Sequence, residues 1–168
     1  MVYKHFDFKK FTLLRDSREQ IKRFSSPEWL KKFRVEDRAL PMGDYSFEYN
    51  GDDFSPHFSI EYKRACELLG NIGSEGRQEF KDKIYNCARR CDFYRVVVEG
   101  SLGQFIDPLY CQSKMDRFLA FTTIYKWQSD NRHLKFEFIP DSPIGTAQTL
   151  AEMVIFQFME GYLKYYYR

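Results

Sequence analysis

The sequence predicts an α/β fold in which a mixed β-sheet is flanked by helices on both faces. Two observations carry that prediction. Residues 45–49 and 57–63 alternate apolar and polar side chains around the turn-rich Asn50-Gly51-Asp52-Asp53, the pattern of a hairpin. Later strand-like runs are separated by stretches long enough for helices, which implies crossovers and parallel pairing.

The elements follow in order. Phe11-Thr12-Leu13-Leu14-Arg15 reads as a first strand that runs into Asp16-Ser17-Arg18-Glu19. Ser26-Pro27-Glu28 starts a short helix, with Ser26 as N-cap and Pro27 at the first helical position. After the hairpin a helix is expected from 64 to about 72, then a Gly/Ser-rich break at 73–76. A second helix over 77–91 sets Phe80, Ile84, Cys87, Ala88 and Cys91 on one stripe. Residues 93–98, with three consecutive valines, form a buried central strand. A helix over about 113–127, a strand over 134–139 and a long helix over about 146–166 complete the chain. The last helix carries an apolar stripe through Leu150, Val154, Phe158, Tyr162 and Tyr165, suited to the core or to an interface.

The 168 residues suit one domain over 1–168, long enough to bury a core without covalent staples. No apolar run approaches the ~20 residues of a membrane helix. The first residues lack the apolar segment of a secretory signal, so an intracellular location is expected, in cytoplasm or beside DNA. Cys66, Cys87, Cys91 and Cys111 are accordingly expected to be free, mostly buried thiols. The net charge of +2 is unevenly spread. Residues 1–38 hold eleven Lys/Arg against six Asp/Glu, a basic first quarter that suits phosphate contact as well as a solvated face. His5, His57 and His133 are scattered and read as structural or surface residues. No phosphate-binding GxxxxGK[ST] or GxGxxG string is present, so ATP hydrolysis and dinucleotide binding have no support.

The chemistry lies between Gly43-Asp44-Tyr45 and Ile60-Glu61-Tyr62-Lys63. On a strand, Glu61 and Lys63 share one face and Tyr62 takes the other. A hairpin symmetric about Asp52–Asp53 would oppose Phe47 to Phe58, Tyr45 to Ile60 and Asp44 to Glu61. Opposed carboxylates destabilise a sheet unless something offsets their charge. A divalent cation does so, and hard oxygen ligands that leave open positions suit Mg²⁺, with Mn²⁺ as substitute. Such an ion polarises a phosphate and acidifies a bound water. Lys63 is placed to orient that water or to stabilise phosphoryl oxygens, and the Tyr62 carbonyl is a further candidate ligand. Asp44, Glu61 and Lys63 are thus the candidate catalytic residues of a PD-(D/E)xK arrangement.

The surrounding strings extend the reading. Asp16-Ser17-Arg18-Glu19, Leu40-Pro41-Met42-Gly43-Asp44-Tyr45, Ile60-Glu61-Tyr62-Lys63-Arg64 and Gly76-Arg77 occur in an order that resembles the nuclease domain of the XPF/MUS family of structure-specific endonucleases. The match covers about residues 11–100 and ends at Val96-Val97-Val98-Glu99. The resemblance implies a restriction-endonuclease-like fold and Mg²⁺- or Mn²⁺-dependent cleavage of flaps, forks or other branched DNA, in a repair or recombination setting. It assigns Asp44, Glu61 and Lys63 to catalytic positions and adds Asp16 and Glu19 to the acidic cluster. Asp44, Glu61 and Asp16 become the candidate metal ligands. Arg18, Arg64 and Arg77 are the candidate nucleic-acid contacts, with Arg77 on the family's G-R position.

Asp16 and Glu19 also fit a helix N-cap with its capping-box acid. Tyr62 replaces an arginine of the family pattern, and Glu67 replaces an aspartate. No helix-hairpin-helix pair follows within the chain. The expected function is an endodeoxyribonuclease acting at branched DNA or at single-/double-strand junctions. The alternatives are a generic PD-(D/E)xK nuclease (resolvase, nickase or duplex cutter) and an inactive nuclease-fold module that binds DNA or a partner. A homodimer through the C-terminal helices, or an accessory protein, is the expected assembly.

Overall fold

The computed structural model describes residues 6–167, so His5 lies outside the described residues. Seven strands, β1 (Phe11–Asp16), β2 (Arg34–Arg38), β3 (Tyr45–Tyr49), β4 (Asp52–Asp53), β5 (Phe58–Arg64), β6 (Phe93–Glu99) and β7 (Phe136–Ile139), form one sheet. Its order is β2-β1-β3-β5-β6-β7, with β4 attached to β3. β1 pairs antiparallel with β3, and β3 antiparallel with β5, whereas β2 and the β5-β6-β7 half run parallel to their neighbours. The sheet is therefore mixed, with the early hairpin at its centre.

Six α-helices accompany it among the described residues: α1 (Pro27–Leu30), α2 (Ala65–Gly73), α3 (Arg77–Arg90), α4 (Leu102–Ile106), α5 (Arg117–Asp130) and α6 (Leu150–Tyr166). One face of the sheet is covered by α2, α3 and α5, where Leu68, Leu69, Ile84 and Ile124 pack on Val96 and Val98. On the other face α6 and α1 bring Ile155, Met159, Leu163 and Trp29 onto Phe47, Phe58, Ile60 and Val97. Alternation along β6 divides its valines between these two cores, as a strand covered on both faces requires. No helix of the described residues is long and apolar enough to cross a membrane.

The hairpin turns earlier than its symmetry suggested. Asn50 (φ 54°) and Gly51 (φ 90°) make a two-residue turn that pairs Tyr49 with Asp52 and Glu48 with Asp53. Asn-Gly tolerates positive φ at both positions, which matches the twist of the flanking strands. The chain then leaves the ladder so that Phe54, fully buried, stacks 4.8 Å from Phe47. It re-enters as β5 with Tyr45 opposite Ile60, the expected register. The detour absorbs four residues without moving the Asp44–Glu61 end of the hairpin.

Other boundaries shift for local reasons. Asp116 and Thr149 each accept the amide three residues on, so α5 and α6 start at their caps, later than the apolar periodicity implied. β2 and α4, not expected from periodicity, are short pieces that pair at an edge and fill a corner with Phe105. Along α6 the buried face centres on Ala151, Ile155 and Met159, one residue beyond the expected stripe, and Tyr165 is exposed.

The free-thiol expectation is corrected for two cysteines. Cys66 and Cys111 form a disulfide, while Cys87 and Cys91 are free and buried as expected. Nothing in their spacing, 45 residues apart, signals the pair. Only the packing of the 107–116 segment against α2 brings them together.

Candidate active site

Gly43 starts the site. Its φ is +63°, and a Cβ there would stand 2.2 Å from Ser59 Oγ and 2.7 Å from the Ile60 carbonyl oxygen. Only glycine fits so close a left-handed turn. That turn aims the Asp44 amide at the Ile60 carbonyl (2.7 Å) and lets the Asp44 carbonyl accept the Asp16 amide (2.8 Å). Asp44 is thus pinned between β1 and β5. Its side chain accepts the Tyr62 amide through Oδ2 at 2.7 Å.

Glu61 is fully buried. Its Oε1 lies 2.8 Å from Lys83 Nζ and 3.3 Å from Lys63 Nζ. Its Oε2 is buried with no hydrogen-bond partner among the described residues. Burial pushes the Asp44 carboxyl above the usual carboxylate range, and the neighbouring Glu61 charge pushes it further. The Tyr62 amide and Lys63 offset this only in part. Glu19, half-buried, is raised likewise by burial first, against the pull of Lys63.

A cleft of about 420 Å³ gathers Asp16, Arg18, Glu19, Asp44, Lys63 and Lys83 at its wall. All five residues expected to be catalytic therefore converge, four on this wall and Glu61 buried behind it.

Asp16 differs from the others in being saturated. Arg18 donates to both of its oxygens (2.8 and 2.7 Å), the Arg18 amide to Oδ1 (2.8 Å) and the Leu40 amide to Oδ2 (2.9 Å). Burial raises its carboxyl, but Arg18 and the two amides win and hold it at about 2. No helix follows Asp16, so the capping-box alternative for Asp16 and Glu19 does not arise.

The three arginines separate. Arg18 sits at the cleft with its side chain mostly exposed. Arg64 lines a second groove with Glu67, Glu99 and Tyr110. Arg77 turns to α5, donating to Thr123 Oγ1 (3.0 Å) and lying 5.7 Å from the Trp127 ring centre. Glu67 accepts the Arg64 amide (2.9 Å) at the start of α2.

Tyr62 points to the opposite core as alternation requires, with its hydroxyl on Glu99 and the Arg23 guanidinium 4.6 Å from its ring centre. Arg23 also pairs with Glu99 at 2.6 Å.

Lys83 was missed. Its signal was present: it stands three residues after Phe80 and four before Cys87, beside the apolar stripe of α3, so its stem runs along the helix face that meets the sheet.

The donor set fits a hard divalent cation. Two carboxylates stand together, Glu61 buried and Asp44 half-buried, and one buried carboxylate oxygen lacks a partner, a charge arrangement that a cation relieves. Among the described residues no group of three His, Cys, Asp or Glu side chains forms a ready metal cluster. Asp44 and Glu61 would hold the ion, with solvent and substrate oxygens completing its shell.

No family model matches the chain, and no curated protein matches it in sequence. Solved structures do match in fold. XPF from Aeropyrum pernix aligns with TM-score 0.63 and 16% identity, over 90% of this chain and 61% of that one. XPF from Aeropyrum pernix in complex with DNA aligns with TM-score 0.62 and 17% identity, over 91% of this chain and 65% of that one. The chain thus spans less than two thirds of the length of either. Identity this low speaks for the fold alone: a mixed seven-stranded sheet flanked by helices, of the XPF, restriction-endonuclease-like kind.

Proposed function

We propose that this chain is a metal-dependent endonuclease that hydrolyses DNA phosphodiester bonds at branched or single-/double-strand junctions. The observation that carries the reading is the buried Glu61 beside Asp44, with Lys63 3.3 Å from Glu61 and one carboxylate oxygen unpartnered. A buried carboxylate beside a half-buried one is disfavoured by desolvation and by mutual repulsion, a cost that a bound cation offsets.

Mg²⁺ or Mn²⁺ bound by Asp44 and Glu61 supplies a Lewis acid for the phosphate and an acidified water. The residues of the chain then do the rest. The Tyr62 amide fixes the Asp44 carboxylate, and Lys63 offers an ammonium to the attacking water or to the developing phosphoryl charge. Glu19, raised by burial, stands at the same wall as a proton acceptor or outer ligand. Asp16 holds Arg18 and the 40–44 segment in place, so Arg18 faces the cleft as a phosphate contact. Arg64, exposed at the end of β5, offers a separate phosphate contact at the second groove, whereas Arg77 serves the α3–α5 packing.

That one structure of similar fold is a complex with DNA supports DNA as ligand. The junction preference, and association with a second copy or an accessory chain, belong to the same proposal. The test incubates the protein with end-labelled flap, fork and duplex DNA in Mg²⁺, Mn²⁺ and EDTA, beside Asp44→Asn and Lys63→Ala. Metal-dependent cutting of branched substrates, lost in both variants, is expected. Equal cutting of duplex would remove the junction preference, and no cutting with either metal would leave a binding module.

A further inference from the structure

Glu61 is served by two lysines on one oxygen, one more cation than a single carboxylate needs. Lys63 reaches it from the same strand face, at 3.3 Å. Lys83 reaches it from α3, closer at 2.8 Å, with about half of its side chain exposed. The other oxygen is left buried and bare. Formal charges at the cleft are three negative (Glu19, Asp44, Glu61) against two positive (Lys63, Lys83), with Asp16 and Arg18 cancelling. A divalent cation would reverse that deficit of one into an excess of one, and a single phosphodiester charge would return it to zero. Without Lys83 the loaded cleft would be neutral before substrate and negative with it.

We propose that Lys83 is a placeholder cation, which neutralises Glu61 while the metal site is empty and serves the substrate phosphate when it is filled. The inference rests on the metal-dependent nuclease reading and adds to it a phosphate-contacting residue that the sequence motif does not contain. A lysine can act in both places because its four-carbon stem is flexible and its charge needs no fixed fork geometry. An arginine-like bidentate clamp on Glu61 would not release.

The test measures Mn²⁺ binding to the whole chain by calorimetry, without DNA, for wild type, Lys83→Met, Lys83→Gln and Lys83→Arg. Removing an ammonium this close to the site is expected to tighten Mn²⁺ binding about five- to tenfold in both neutral variants, even though Gln can still hydrogen-bond Glu61. Lys83→Arg should bind as wild type or more weakly. Thermal melting of each variant reports that it is folded. In Ca²⁺, which carries charge without supporting rapid cleavage, Lys83→Met should bind a labelled DNA fork with a salt slope shallower by about 0.9, the contribution of one phosphate contact. In EDTA the two slopes should coincide.

Weaker or unchanged Mn²⁺ binding in a folded Lys83→Met would overturn the proposal and make Lys83 a plain ion-pair partner of Glu61. Equal salt slopes in Ca²⁺ would do the same for its phosphate role. If wild type binds no Mn²⁺, or if Asp44→Asn leaves the binding heat intact, the nuclease reading itself falls, and the placeholder role with it.

Discussion

The amide of Tyr62 donates to Asp44 Oδ2 at 2.7 Å, so the main chain between Glu61 and Lys63 holds the carboxylate of the neighbouring strand end. One short strand segment therefore supplies Glu61 and Lys63 as side chains and orients Asp44 through its backbone. The three groups are thus held by sheet rather than by loop, which favours a precise geometry.

Gly43 is the hinge of that unit. Gly43→Ala places a methyl against Ser59 Oγ and the Ile60 carbonyl and forces a left-handed backbone on alanine. The expected cost is about 2–4 kcal/mol of stability. Urea unfolding monitored by Trp fluorescence measures it, and DNA cleavage should fall with Asp44 displaced. A variant as stable as wild type would show that the 40–44 turn relaxes freely.

Asp16 should make stability fall in acid. Its folded carboxyl is held near 2, below the unfolded value of 3.8. The contribution is therefore present above pH 4 and lost as pH falls from about 4 to 2, amounting to about 2 kcal/mol. Urea titrations across pH 2–5 should give Asp16→Asn a shallower dependence than wild type. Parallel curves would mean that Asp16 titrates normally.

Glu152 is buried in the first turn of α6, where it accepts the Phe24 amide (2.6 Å), the Trp29 indole N–H (3.1 Å) and the Thr149 amide (2.9 Å). It ties the 24–29 segment to the helix that covers one sheet face. Glu152→Ala strands three donors and should cost about 3 kcal/mol. Glu152→Gln, which keeps two acceptor sites on its one oxygen and adds an unmatched NH₂, should cost less. Thermal melts of the two variants rank them.

The Cys66–Cys111 disulfide closes 45 residues and should contribute roughly 3–4 kcal/mol. Melting in reductant, against Cys66→Ser with Cys111→Ser, measures it. Burial pushes the Cys91 thiol up to about 12 and raises Cys87 as well. Iodoacetamide should label neither in the folded chain and both in denaturant. Rapid labelling of folded protein would contradict their burial.

Arg77 packs α3 on α5 rather than facing the cleft. Arg77→Met should lower stability by about 1 kcal/mol while leaving the salt dependence of DNA binding unchanged. A shallower salt slope would restore Arg77 as a phosphate contact.

Much of this was written in local patterns. Alternation around Asn50-Gly51 specified the hairpin, the apolar stripe Phe80-Ile84-Cys87 specified α3, and the valines of β6 specified a strand covered on both faces. These features depend on neighbours within a few residues, so period and turn chemistry reveal them. The positions of Glu61, Lys63 and Tyr62 on alternate faces followed from the same rule, and the tertiary contacts agree with it.

Other features depend on which distant segments meet. The detour of Phe54 into the core, the approach of Lys83 to Glu61, the turning of Arg77 to Thr123 and the joining of Cys66 to Cys111 all cross between elements. A sequence fixes which face of a strand or helix a side chain occupies, because that is geometry repeated every two or 3.6 residues. Which partner waits opposite that face is decided by layer packing, where area buried and charge satisfied are summed over the whole sheet.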